Sequence, residues 1–169
     1  MVKMPQEDGS EVLMAVLQRR GTFNTEKMKP ESYPGCCQVS VHGGVEEGES
    51  FDQAFIREVE EEFGKDFANC LRCLPNKAGV EILIHEETTE KEIFTYGALI
   101  PVGWLKMIRL GADSGGLDYI TRTMVDYIVP ITRVFDKEVK EKGPPADNQM
   151  MFLDEIEAVK KAFEIFGQK

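Results

Sequence analysis

The residues best placed to do chemistry are glutamates in the run Arg57-Glu58-Val59-Glu60-Glu61-Glu62. On a helix, at about 100° per residue, Glu58, Glu61 and Glu62 stand at i, i+3 and i+4 and share one face, while Glu60 points well away. Three like charges on one face destabilise a helix unless something positive neutralises them. Mg2+ or Mn2+ meets that need, because hard divalent cations take carboxylate oxygens and keep positions open for water and phosphate. Alone, such an acidic run is more often a solvated surface. Its surroundings reverse that balance. Gly43-Gly44 permits a tight backbone turn close to the acids. Glu46, Glu47 and Glu49 add carboxylates before the helix, and Arg57 can pair with one of them to tie loop to helix.

The elements that must hold these groups follow from patterning. Ser50 to Phe63 is predicted as a helix, with Ser50 and Gln53 fitting a capping box and Gly64 just past the end. Phe51, Phe55 and Val59, with Ile56 and Phe63 beside them, form its apolar stripe. Glu11 to Gln18 reads as a buried strand and Arg19 to Pro34 as a loop. Cys37 to Val41 is a second strand leading into Gly43-Gly44. Phe67 to Leu74, Val80 to His85, Ile93 to Val102 and Met124 to Ile131 are further expected strands. Trp104 to Thr123, with Gly111, Gly115 and Gly116, reads as an irregular excursion, and Lys137 to Asn148 as a loop. Leu153 to Phe166 closes the chain as an amphipathic helix. Strands before, between and after two helices suggest a mixed sheet sandwiched by helices.

With 169 residues, the chain is expected to form one domain. Its formal charge of −10 disfavours a nucleic-acid polymer as partner, since that needs a basic stripe. It suits small phosphorylated substrates if bound metal supplies the positive charge. No run of eighteen apolar residues is present, and no signal-peptide pattern opens the chain, so a cytoplasmic protein without a membrane partner is expected. The cysteines Cys36, Cys37, Cys70 and Cys73 include a C-x2-C spacing. Adjacent Cys36 and Cys37 point to opposite faces of a strand, however, which favours reduced core thiols over a zinc site.

The segment from Gly43 to Lys65 resembles the Nudix box, G-x5-E-x7-R-E-U-x-E-E-x-G-U, with U a bulky aliphatic residue. Gly43, Glu49, Arg57, Glu58, Val59, Glu61, Glu62 and Gly64 match it, and Lys65 departs at the last position. The resemblance implies an α/β fold, a Nudix-type α/β/α sandwich with a mixed sheet, over residues 1–169. It implies hydrolysis of a diphosphate linked to another moiety, by attack of a metal-activated water. Glu58 and Glu62 would be the main Mg2+ (or Mn2+) ligands and Glu61 a third or water-mediated one, with the carbonyl near Gly43 also ligating. Arg57 belongs to this catalytic set, although it and Glu49 would act mainly through structure, as would Gly64. The general base in the family is a box glutamate or a distant acid; Asp113, Asp118 and Glu138 stand as loop alternatives. Many relatives pair as homodimers, so a homodimer is an expected assembly.

Around the box, Leu17-Gln18-Arg19-Arg20, Tyr33-Pro34-Gly35 and Val39 to Glu49 look like the isopentenyl-diphosphate-isomerase-type branch. The isomerase cysteine would fall at His42, and the intact box acids favour hydrolysis. A non-catalytic binding module would be expected to have lost box acids. Arg19 and Arg20 could reach a substrate phosphate, or form an exposed basic pair. His85 reads as strand surface. Tyr119 and Trp104 could stack on a ring, core packing being the better reading of the tryptophan. Nucleoside diphosphate sugars, nucleoside triphosphates, dinucleotides and prenyl diphosphates all share the reacting group, and no downstream signature selects one.

Overall fold

The structure, a computed structural model, describes residues 1–25, 27–41, 44–74, 79–87, 92–131, 137–145 and 148–168. At its centre runs β2 (Glu11–Arg20), whose alternation builds both faces of the molecule. Ala15 and Leu17 point one way and Val16 and Gln18 the other, as the period of two requires. β1 (Val2–Pro5) and β5 (Cys37–Gln38) pair with β2 antiparallel. β8 (Ser114–Thr121) pairs with it antiparallel too, in a register that sets Val16 opposite Tyr119 and Leu17 opposite Asp118. Between β2 and β5, β3 (Phe23–Asn24) and β4 (Lys29–Pro30) form a short hairpin. The expected loop from Arg19 to Pro34 is therefore shorter, because Arg19 and Arg20 continue the central strand.

One face of β2 is covered by α1 (Phe51–Phe63) and α2 (Lys65–Arg72). There Val16 packs with Val59, Phe63, Phe67 and Leu71. The other face is covered by α5 (Leu153–Phe166), where Ala15, Leu17 and Ile120 pack with Ile156, Val159 and Phe163. Helix, sheet, helix is the expected sandwich. β6 (Val80–Glu87) and β7 (Glu92–Ala98) form an antiparallel hairpin. Its edges reach both helical layers, through Phe51–Phe94 at 4.4 Å on one side and Leu83 against Ala158 and Ala162 on the other. A 3-10 turn (Val102–Met107) and the short α3 (Arg122–Val125) follow. β9 (Val129–Ile131) pairs parallel with β10 (Met150–Phe152), and α4 (Lys137–Lys142) lies between them in the chain. The parallel pair and a parallel bridge from Val2 to Ile100 accompany the antiparallel ladders.

Further expectations need correction, and the strand expected over Cys37 to Val41 spans only Cys37–Gln38. Phe67 to Leu74 is helical, because Phe67, Ala68 and Leu71 recur at helical spacing and bury one face, with Asp66 and Arg72 placed favourably at its ends. The stretch read as an irregular excursion contains β8. Gly115 marks a close approach, since a Cβ there would sit 2.7 Å from the carbonyl oxygen of Arg20, while Gly116 takes φ +114°. Met124 to Ile131 is divided between α3 and β9, and Lys137 to Lys142 forms α4 where a loop was expected.

Gly64 joins α1 to α2 at φ +87° and ψ 160°, a region essentially restricted to glycine. A Cβ there would also lie 3.1 Å from Arg109 Cβ. Gly64→Ala is expected to cost ~1–3 kcal/mol, read as a lower midpoint in denaturant with an unchanged slope. A wild-type midpoint would show that the turn relaxes without strain.

Candidate active site

α1 starts where Ser50 caps it: the Gln53 amide donates to Ser50 Oγ at 3.3 Å, and the Ser50 amide donates to Gln53 Oε1 at 2.9 Å. This reciprocal box fixes where the helix begins and hence which way its acids face. Arg57 then ties the helix to the loop before it. Its Nε and Nη2 donate to the two oxygens of Glu49 at 3.1 and 3.0 Å. Nη2 also donates to the carbonyl of Gly44 at 2.6 Å, and Nη1 donates to Glu58 at 2.7 Å and to Glu61 at 3.4 Å. A planar guanidinium can serve this many acceptors at once, where an ammonium could not hold the same fork. The hydrogen bonds from Arg57, then that from the Glu46 backbone, hold the Glu49 carboxyl below its ordinary range. Glu49 and Glu58 in turn raise Arg57.

The box acids divide by face. Glu60 turns away and pairs with Arg72 on α2 at 2.7 Å. Glu58 and Glu61 lie under Arg57, Glu58 with a side chain 14% exposed and Glu61 with one 59% exposed. Glu62 reaches the central sheet, where Gln18 Nε2 donates to its Oε2 at 3.0 Å. Gln18 is only 3% exposed and was not among the residues singled out in the sequence. A signal was there. The row Met14, Val16, Gln18 faces α1, so the glutamine that ends an apolar run stands in the buried row beneath the acids.

As donors, three carboxylates in two turns suit a hard divalent cation. Among the described residues, no three His, Cys, Asp or Glu side chains already converge on one point, since Arg57 draws Glu58 to itself while Glu62 is held by Gln18. Gly43 and His42 lie outside the described residues, and with them the expected carbonyl ligand and the position that bears on the isomerase reading.

The remaining candidates lie elsewhere. Asp118 is on β8, 8% exposed, opposite Leu17 and therefore on the α5 face of the sheet. It accepts from Arg19 through both oxygens and from the Cys37 thiol at 3.1 Å. Burial, reinforced by that carboxylate, pushes the Cys37 thiol up to about 12. Arg19 and Asp118 thus form a pair across the sheet from the box. Arg20 donates to Ser32, Gln38 and Glu31 at 2.6 to 2.8 Å. Asp113 holds the backbone and hydroxyl of Thr25, and Glu138 pairs with Lys142 on α4. Cys36 is buried beside Ile131 and Met150, Cys70 touches Met107, and Cys73 is exposed. His85 stacks on Phe94 and pairs with Glu92 on the hairpin surface. Trp104 packs edge-on to Phe67, whereas Tyr119 is exposed on the α1 side of the sheet.

Between α1, the sheet and the β6–β7 hairpin lies a cavity of about 250 Å3. Phe51, Phe55, Phe94 and Tyr96 line it, and Glu58 stands in its wall.

The molecule is thus a helix–sheet–helix sandwich that carries a capped, arginine-clamped carboxylate helix. The chain belongs to the Nudix family: the family's NUDIX domain model matches residues 4–104, three-fifths of its length. Members are pyrophosphohydrolases that act on small-molecule phosphoric anhydrides and generally use divalent metal ions. The crystal structure of a mutT/nudix family protein from Listeria innocua is similar, with a TM-score of 0.60 and 21% identity over 99% of this chain and 88% of that one. DR0079 from Deinococcus radiodurans gives a TM-score of 0.46 and 17% identity over 74% of this chain and 67% of that one. No curated protein matches the chain. Among the described residues, no helix is long and apolar enough to cross a membrane.

Proposed function

We propose that the chain is a Mg2+- or Mn2+-dependent pyrophosphohydrolase that splits a diphosphate linked to a second moiety, its site built from Glu58, Glu61 and Glu62. The observation that carries this reading is the clamp: Arg57 binds the loop acid, the loop backbone and the first box glutamate together. A solvated acidic helix needs no such device.

In this reading Glu58 and Glu62, one turn apart, would hold the cation, with Glu61, the most exposed of the three, as a further donor. When bound there, the cation would supply positive charge against the diphosphate and lower the pKa of the attacking water. Water adds to one phosphorus, the bridging P–O bond breaks, and two phosphate-bearing fragments leave. The water's proton passes to a box carboxylate. Asp118 is on the opposite sheet face, and Asp113 and Glu138 are engaged with other partners. Glu49 and Arg57 take no part beyond fixing loop against helix.

A substrate panel tests this. Nucleoside diphosphate sugars, nucleoside triphosphates and dinucleotides form one arm, assayed with Mg2+, with Mn2+ and with chelator. Organic diphosphates with apolar tails form the second arm, because the aromatic-lined cavity beside Glu58 has room for an apolar moiety. Metal-dependent release of two phosphate-bearing products in either arm is the expected result. Rearrangement of an apolar diphosphate without phosphate release would replace hydrolase by isomerase. No turnover together with no metal binding would leave a binding module.

A further inference from the structure

We infer that Gln18, Gln38 and Arg20 form a one-way hydrogen-bond relay that positions Glu62 for metal binding; this rests on the reading of Glu62 as a ligand. Arg20 Nη1 donates to Gln38 Oε1 at 2.8 Å, Gln38 Nε2 to Gln18 Oε1 at 3.0 Å, and Gln18 Nε2 to Glu62 Oε2 at 3.0 Å. Guanidinium has donors only and an ionised carboxylate acceptors only. With Arg20 at one end and Glu62 at the other, both amides have one orientation that satisfies every link. Turning either amide would set oxygen against oxygen or N–H against N–H.

Arg20 is itself fixed, by Glu31 at 2.6 Å and by the Ser32 carbonyl at 2.7 Å. The relay therefore starts from an anchored cation on the sheet. It ends by engaging Oε2 of Glu62, so that Oε1 would be the oxygen available to a cation. Partners of this outer kind typically set metal affinity by about 10–100-fold. Gln18 and Gln38 are positioning residues, since neither touches substrate in this scheme.

Polarity separates this from ordinary packing. Gln38→Glu is isosteric and still accepts from Arg20, but it cannot donate to Gln18. Gln18 must then turn its N–H toward position 38 and present its oxygen to Glu62. Gln38→Leu leaves the Gln18-to-Glu62 bond intact. If packing alone mattered, the leucine would do more harm than the glutamate.

The test measures Mg2+ affinity by calorimetry on the substrate-free protein, with thermal melting alongside. Gln38→Glu is expected to weaken Mg2+ binding by about tenfold and Gln38→Leu by less. Gln18→Met, close in shape and unable to donate, is expected to match Gln38→Glu and serves in its place if that variant does not fold. Wild-type affinity in either folded variant, or a larger loss in Gln38→Leu, would overturn the relay. Glu62→Gln is run in parallel. If it binds Mg2+ as wild type does, the assignment of Glu62 fails instead; if it alone loses binding, the relay fails and the assignment stands.

Discussion

Glu62→Gln is expected to lose activity by roughly a hundredfold or more while melting at the wild-type temperature or slightly above it. Outer partners of a metal ligand cost about 10–100-fold when removed, so the ligand itself should cost at least the upper figure. The fold has no reason to suffer. The amide oxygen of the replacement can still accept from Gln18 Nε2, and no volume changes. One of three carboxylates at i, i+3 and i+4 spacing becomes neutral, which relieves like-charge repulsion worth about 0.2–0.5 kcal/mol per pair. For a chain of this size that is on the order of one or two degrees in midpoint. Activity and stability should therefore move in opposite directions, as expected for a residue kept for function at some cost to the fold. The checks are turnover on the best substrate of the panel and thermal melting of the metal-free protein. A Glu62→Gln enzyme with near-wild-type turnover would remove Glu62 from the site.

What could be read in advance follows from how local each cause is. The box helix was legible from Ser50 to Gly64 because capping residues, apolar stripe and terminal glycine all act within a few residues. α5 was legible for the same reason, its buried row from Ile156 to Phe166 being periodic throughout. β8 was not. Its glycines signal a turn when only neighbours in sequence are considered, yet Gly115 lies against the backbone of Arg20, a contact between strands that no local pattern reports. The sequence of α2 fits either period, because a short segment rich in apolar types does so, and contact with Val16 and Val59 decides for the helix. At the candidate site, the shared helix face of Glu58, Glu61 and Glu62 follows from spacing alone. The facing of Arg19 and Asp118 away from α1 depends on the β2–β8 register, which no local pattern reports. Gln18 lay between these cases, since its row was predictable but its partner 44 residues away was not.

Arg57→Ala is expected to lower kcat/KM by about a hundredfold, the scale on which a misplacement of about 1 Å acts. The change severs the loop from the helix. Glu49 and Glu58 lose their shared cation, and the Gly44 carbonyl loses its donor. Arg57→Lys should recover only part of the loss, because a single ammonium cannot span both oxygens of Glu49 and the Gly44 carbonyl together. The pair also leaves a signature in pH. Glu49 is held below its ordinary value of 4.5, so its contribution to stability is fully present above that value and is lost as pH falls through the lowered one. The stability difference between wild type and Arg57→Ala should therefore stay level from neutral pH down to about 4.5 and narrow below it. Denaturant titrations at a series of pH values measure this directly. Mg2+ affinity should fall in the same variant, since Glu58 and Glu61 lose the guanidinium that fixes their side chains. Activity within twofold of wild type, with a stability difference indifferent to pH, would mean that the loop holds its place without the clamp and that the box acids need no such support.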